Sequence, residues 1–231
     1  MRGRRAAAFA VVLAMLGCTG GDAAETSASV RLPAATTTVV PPATAPSITI
    51  TVRLERLVDD AATAGFAGIV VATLTDPRGW ARAGFVFTFS DHAPYTIVLA
   101  EGPEVDARCA PYNTAGRFSC QLGRAVVLNA DRWRTATPEW TAELDSYRQM
   151  LVNHEIGHLL GQHHPTAGCT TPGAPSPIMI QQSTNLDGCL PNPWPLDWEI
   201  ACAAARLEPI APGYEDAPTP LCGPDGPLVS G

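Results

Sequence analysis

A chain of 231 residues with 46 % apolar side chains is long enough for one folded domain with appendages. Its formal charge of −7 argues against nucleic acid as a partner. All fifteen basic residues are Arg, which reflects a GC-rich coding bias more than chemistry.

The chain opens on a basic stretch, MRGRR, followed by an apolar run, AAAFAVVLAML. The run is too short to span a bilayer in the usual way and fits a signal peptide over 1–17. It ends in LGC, which resembles a bacterial lipobox with Cys18 as the lipidated residue. An ordinary signal peptide on a secreted protein is the alternative. Cleavage before Cys18 removes Arg2, Arg4 and Arg5 and takes the charge from −7 to −10. The expected place is the outer face of the cell membrane, held by the lipid anchor only. Residues 18–47 then read as a tether. From 19 to 47, 20 of 29 residues are Thr, Ala, Pro or Ser, a composition that cannot bury a core. Such a flexible segment reaches roughly 30 Å.

The folded domain is expected over 48–231. SITITVRL alternates Ile48, Ile50, Val52 and Leu54 on one face, a strand signature. GFAGIVVATL places Phe66, Ile69, Val70, Thr73 and Leu74 at helical spacing, and DPRG stops that helix. GFVFTFS and YTIVLA read as two strands on either side of the turn DHAP. RFSC and AVVLNA read as a short strand and a longer one across QLGR. TPEW starts the next helix, with Thr137 as N-cap and Pro138 as first helical residue. That helix carries Leu144, Tyr147, Leu151, His154 and His158 on one stripe and stops near Gly161. A Pro/Gly-rich stretch over 165–195 has no regular period, and PLDWEIACAAARLEP forms a last helix. The order predicts a mixed α/β (α+β) domain of five strands and three helices, and a monomer. The five Trp read as core and rim packing rather than a ligand platform.

With Cys18 set apart, six cysteines remain, an even number in an exported chain. Nearest-neighbour pairing gives Cys109–Cys120, Cys169–Cys189 and Cys202–Cys222, each closing a loop rich in turn residues. A zinc site on these cysteines ranks below disulfides, because no close CxxC pair exists.

Four of the five His fall in NHEIGHLLGQHHP, residues 153–165. His154 and His158 are four apart, so a helix puts both imidazoles on one face, where they can bind one Zn²⁺. Glu155 sits beside the first His, in reach of a water on the metal. Gly161 lets the helix end in a left-handed turn, so that His164 returns as a third ligand. Three His leave a fourth zinc position open, as in catalytic sites. His163 is expected to face solvent, and His92 has no assigned role. At this composition H-E-x-x-H-x-x-G-x-x-H would arise by chance in about one such chain in a hundred thousand.

HEIGHLLGQHH resembles the metzincin zinc-peptidase pattern. That resemblance implies a Met-turn beneath the metal, which SPIMIQQ supplies with Met179. No Tyr follows Met179 as in astacin-like Met-turns, so a Tyr ligand is not expected. DPRGW, VVLNADRW, YRQMLVNHEIGHLLG, IMIQQS and NPWP together resemble a family of secreted actinobacterial metzincin-like proteins over residues 48–195. The resemblance implies a twisted, mostly parallel five-stranded sheet, an active-site helix and a C-terminal helix. It also implies an antiparallel edge strand near Arg117–Cys120, where a peptide binds by adding a strand. The implied activity is a zinc-dependent endopeptidase that cuts peptide or protein substrates with a zinc-bound water, Glu155 serving as general base. Two other readings are a zinc-containing surface binding protein that cleaves nothing, and a peptidase restricted to cell-wall peptides.

Overall fold

The chain from Thr44 to Gly231 forms one unit, and its architecture follows from where the apolar residues face. A computed structural model describes residues 47–165 and 168–206, and the short strands 222–223 and 226–227. The expected signal peptide, Cys18 and all but the last residue of the expected tether lie outside the described residues.

Strand β1 (Ile48–Arg56) buries Ile50 and Val52 completely and leaves Thr49 and Arg53 outside, as its alternation requires. Helix α1 (Phe66–Leu74) follows, then a 3-10 turn at Trp80–Ala83. Strands β2 (Phe85–Phe89) and β3 (Tyr95–Ala100) come next, then helix α2 (Gly102–Cys109). After them run β4 (Cys120–Leu122), β5 (Ala125–Asn129), the short helix α3 (Ala130–Thr135), and helices α4 (Leu144–Leu159) and α5 (Asp197–Arg206). Two-residue strands β6 (Cys222–Gly223) and β7 (Gly226–Pro227) pair with each other.

The sheet has five strands in the order β2-β1-β3-β5-β4. All neighbours are parallel except β4, which runs antiparallel to β5 at one edge. The mostly parallel five-stranded sheet and the antiparallel edge strand therefore match expectation, although β4 starts at Cys120 rather than at Arg117. The central strands are apolar on both faces because both are covered. Ile97 and Leu99 of β3 join Val126 and Leu128 of β5 in a core with α1, α4 and α5. Val98, Ala100 and Val127 point the other way, onto Val105 and Cys109 of α2. Trp80, Trp133 and Trp140 are buried in the larger core, while Trp194 and Trp198 are half-buried.

Three expectations are corrected. The described residues hold five α-helices rather than three, because α2 and α3 are also helical. Helix α4 does not start at Thr137–Pro138 but at Leu144, with Glu143 as its N-cap. Residues 137–140 instead form a turn closed by Trp140 N–H to the Thr137 carbonyl, 3.0 Å, and Thr137 is buried. The Trp140 ring meets Tyr147 edge-on at 5.4 Å, so aromatic packing fixes this entry before the helix begins. The third correction concerns His163, taken up below.

Cys109–Cys120 joins α2 to the edge strand, and Cys169–Cys189 closes the loop between α4 and α5. Both are the expected pairs, and both suit an oxidising compartment. Cys202 is disulfide-bonded as well, but the side chain of its expected partner Cys222 lies outside the described residues. No described helix is long and apolar enough to cross a membrane.

Candidate metal centre

Helix α4 ends on a hydrogen-bonded C-terminal turn that the sequence marks with Gly161. Gly161 has φ +82°, Gln162 N–H donates to the Gly157 carbonyl at 2.9 Å, and Gly161 N–H donates to the His158 carbonyl at 2.9 Å. This paired closure satisfies the last carbonyls and reverses the chain. The reversal brings His164 back onto the face that carries His154 and His158. A Gly161→Ala variant must hold a side chain at positive φ, costing roughly 1–2 kcal/mol. The same change displaces His164, so if the three imidazoles bind zinc their affinity should drop about tenfold or more, which competition with a fluorescent chelator will measure.

The three expected ligands converge. His154 Nε2 lies 3.1 Å from His164 Nε2, and His158 Nε2 also lies 3.1 Å from His164 Nε2. Nitrogens in a tetrahedral zinc site with bonds near 2.05 Å stand about 3.3 Å apart, so this spacing fits that ion. The protons argue the same way. His154 Nδ1–H donates to the Ile178 carbonyl at 2.7 Å, and His158 Nδ1–H donates to the Gln162 carbonyl at 2.9 Å. A carbonyl can only accept, so these bonds fix both tautomers and leave both Nε2 lone pairs facing inward. One proton on His164 Nε2 could serve only one of those lone pairs, whereas one cation serves all three nitrogens. Burial pushes His154 down to about 3 and His158 well below the usual imidazole range, with the neighbouring imidazoles adding to it. His164 is lowered for the same reasons, burial first. All three are therefore neutral donors at physiological pH.

Glu155 is 5 % exposed and lines the same cavity, yet its carboxyl has no hydrogen-bond partner among the described residues. Burial pushes it up to about 8. A buried acid with no partner among the described residues, beside three converging imidazoles, is a candidate for chemistry rather than for packing. The cavity holds about 360 Å³. One wall is the loop and edge strand from Arg117 to Gln121, and the opposite walls are α4 from Tyr147 to His158 and the segment Gln181–Thr184.

Met179 is 1 % exposed and packs under α4 at Gly157, where any Cβ would collide with its sulfur. It thus lies against the helix between His154 and His158, the position that a Met-turn would take. His163 does not join the three nitrogens, but it does not face solvent either. It is half-buried with Nε2 shielded, because the reversal at Gly161 folds it inward. His92 is exposed in a distant turn.

Nothing in the residue pattern announces what holds this floor in place. Glu199, on α5, accepts hydrogen bonds from Ile178 N–H and Met179 N–H, both at 2.9 Å, and from Leu196 N–H at 2.8 Å. Gln182 and Asn192 tie the same segment together, with Asn192 N–H donating to Gln182 Oε1 at 3.0 Å. The partners of these side chains are backbone groups, which carry no residue identity that a sequence could show.

Residues 19–197, well over half of the chain, match the model of a family described as a protein of unknown function, DUF3152. No curated protein matches the chain.

Proposed function

Since the chain belongs to that family, whose description names no activity, we propose from the site itself that it is a metzincin-type, zinc-dependent endopeptidase working outside the cytoplasm. The observation that carries this reading is the convergence of three imidazole Nε2 atoms, at 3.1 Å spacings, in the cavity that Glu155 lines without a partner. His154, His158 and His164 would hold one zinc ion, which when bound supplies a Lewis acid for a carbonyl and for water.

The remaining work falls to the chain's own residues. Ile178 and Gln162 carbonyls keep the two helix imidazoles aimed inward. The Glu155 value of about 8 belongs to the metal-free protein, and a cation on the three imidazoles would favour the ionised form. Glu155 would then accept a proton from the attacking water at its carboxylate and pass it to the leaving amine. Its burial keeps that proton from bulk solvent. Strand β4 pairs on one side only, with β5, so its outer edge offers backbone groups to an extended peptide lying along the cavity. Met179 keeps the helix floor rigid beneath the ligands. Lipidation at Cys18 and the tether would hold this domain off the outer face of the membrane.

The direct test is metal analysis with cleavage of a mixed peptide library. One zinc per chain is expected, lost in His154→Ala. Cutting should stop on chelation and return when zinc is restored. A protein that holds its zinc and cuts no peptide in the library supports the non-catalytic binding role instead.

A further inference from the structure

We propose that the cleft carries a carboxylate subsite built by Arg132 and Arg117, and that its substrates are therefore acidic peptides. The cutting step rests on the peptidase reading above; the binding step rests on the two arginines.

Most described arginines are neutralised locally. Arg53, Arg56, Arg78, Arg82, Arg108, Arg134 and Arg148 each have a carboxylate within 4.0 Å. Arg117, Arg124 and Arg132 have none among the described residues. In a chain with 22 acidic side chains and a charge of −7, an Arg without a carboxylate stands out. Two of these three line the one cavity that holds the three His and Glu155.

Arg132 is also pre-set. It is half-buried on α3, and its Nε donates to the Arg117 carbonyl at 3.0 Å. That bond fixes the plane of the guanidinium and leaves its terminal nitrogens without a partner among the described residues. Two free terminal nitrogens on an anchored plane are what a carboxylate takes in bidentate fashion. Arg117, whose guanidinium lies 5.4 Å from the Phe118 ring, lines the same cavity and adds a second permanent charge. The only carboxylate in the cavity wall is Glu155. Arg132 lines the same cavity as Tyr147 and Glu155, which stand eight residues apart along α4, about 12 Å. At about 3.3 Å per extended residue that stretch of cavity spans about four residues, so the carboxylate belongs within about four residues of the bond that is cut.

Two sources can supply that group, an Asp or Glu side chain or the carboxylate that ends a peptide. The test uses the zinc-loaded full chain and matched quenched peptides. Asp or Glu replaces Asn or Gln at each position within about four residues of the cut, and every peptide is made with a free and with an amidated C-terminus. The acidic member is expected to exceed its neutral partner in kcat/KM by about tenfold to a hundredfold. If the gain survives amidation the group is a side chain, and if it vanishes the group is the chain end. In Arg132→Gln the acidic-to-neutral ratio should fall close to one, and in Arg132→Glu it should favour basic peptides. Arg117→Gln, at an exposed position, should reduce the ratio by a smaller factor. Equal cutting of acidic and neutral peptides by the wild type overturns the subsite and leaves the peptidase reading standing. Where the wild type cuts nothing, the peptidase reading fails, and binding decides the subsite. Fluorescence anisotropy of the same peptides on the Glu155→Gln chain should then show carboxylate-dependent affinity that Arg132→Gln removes. Charge-independent binding overturns it.

Discussion

Replacing Glu155 with Gln is expected to lower kcat by roughly two to four orders of magnitude while leaving both fold and zinc in place. The argument has two halves. The activity half follows from position: Glu155 lines the cavity of the three converging imidazoles and is bonded to no described group. The stability half follows from burial without compensation. In the metal-free protein its carboxyl is raised from 4.5 to about 8. A raised acid pKa means the folded chain holds the proton more tightly than the unfolded one. The stability it contributes is fully present below about 4.5 and is lost as pH climbs through 8. A neutral amide of the same shape escapes that loss, so the metal-free variant should be at least as stable as wild type at pH 8. A packing residue would behave the other way, losing stability and activity together. Thermal unfolding of the metal-free proteins, zinc stoichiometry and kcat separate the two. Retained hydrolysis, or activity lost only because zinc is lost, sinks the role.

The parts that were legible in the sequence are those whose signal is a periodic side chain or a residue with special chemistry. Strand β1 shows its alternation directly, and its buried residues are the ones that the period selects. The His spacing on α4 and the glycine that ends it place three nitrogens within reach of one another before any coordinates exist. The start of α4 misleads for a physical reason. Thr137–Pro138 has good local chemistry for a helix start, but Trp140 is worth more buried against Tyr147 than carried on an exposed first turn. Helices α2 and α3 are eight and six residues long, too short for a period to show. Their starts are set by local chemistry instead. Asn129 Oδ1 accepts from Asp131 N–H at 3.0 Å and Arg132 N–H at 3.2 Å, a cap hidden at the end of what reads as a strand. That cap matters for the site, because it fixes where Arg132 points from. Partners contributed by the backbone, such as the Ile178 and Gln162 carbonyls, stay invisible until the chain is folded.

Glu199→Ala is expected to cost roughly 3–5 kcal/mol. Its carboxyl is 1 % exposed and serves three backbone N–H groups on two segments. At the third position of α5 it reaches back to Leu196 N–H, as the acid of a capping box does. Its other two bonds hold Ile178 and Met179, so removing it strands three donors and frees the Met floor in one step. The effect should reach the metal. Ile178 offers its N–H to Glu199 and its carbonyl to His154 Nδ1, so loosening this peptide blurs the aim of His154. Lost outer-shell partners of this kind typically reduce metal affinity about 10- to 100-fold. Glu199→Gln keeps one acceptor oxygen and should fall between Ala and wild type on both readouts. Its pH behaviour supplies the discriminating measurement. Burial raises the Glu199 carboxyl from 4.5 to about 7, against the three N–H groups that pull it down. Its contribution is fully present below about 4.5 and declines as pH rises through 7, opposite in sign to an ion-paired surface carboxylate. The stability gap between wild type and Glu199→Gln, followed by thermal unfolding from pH 4.5 to 8, should therefore be widest at the acid end. A gap that widens towards pH 8 instead would mean that the three N–H donors outweigh burial. In that case Glu199 works as a fixed anion under the Met179 turn.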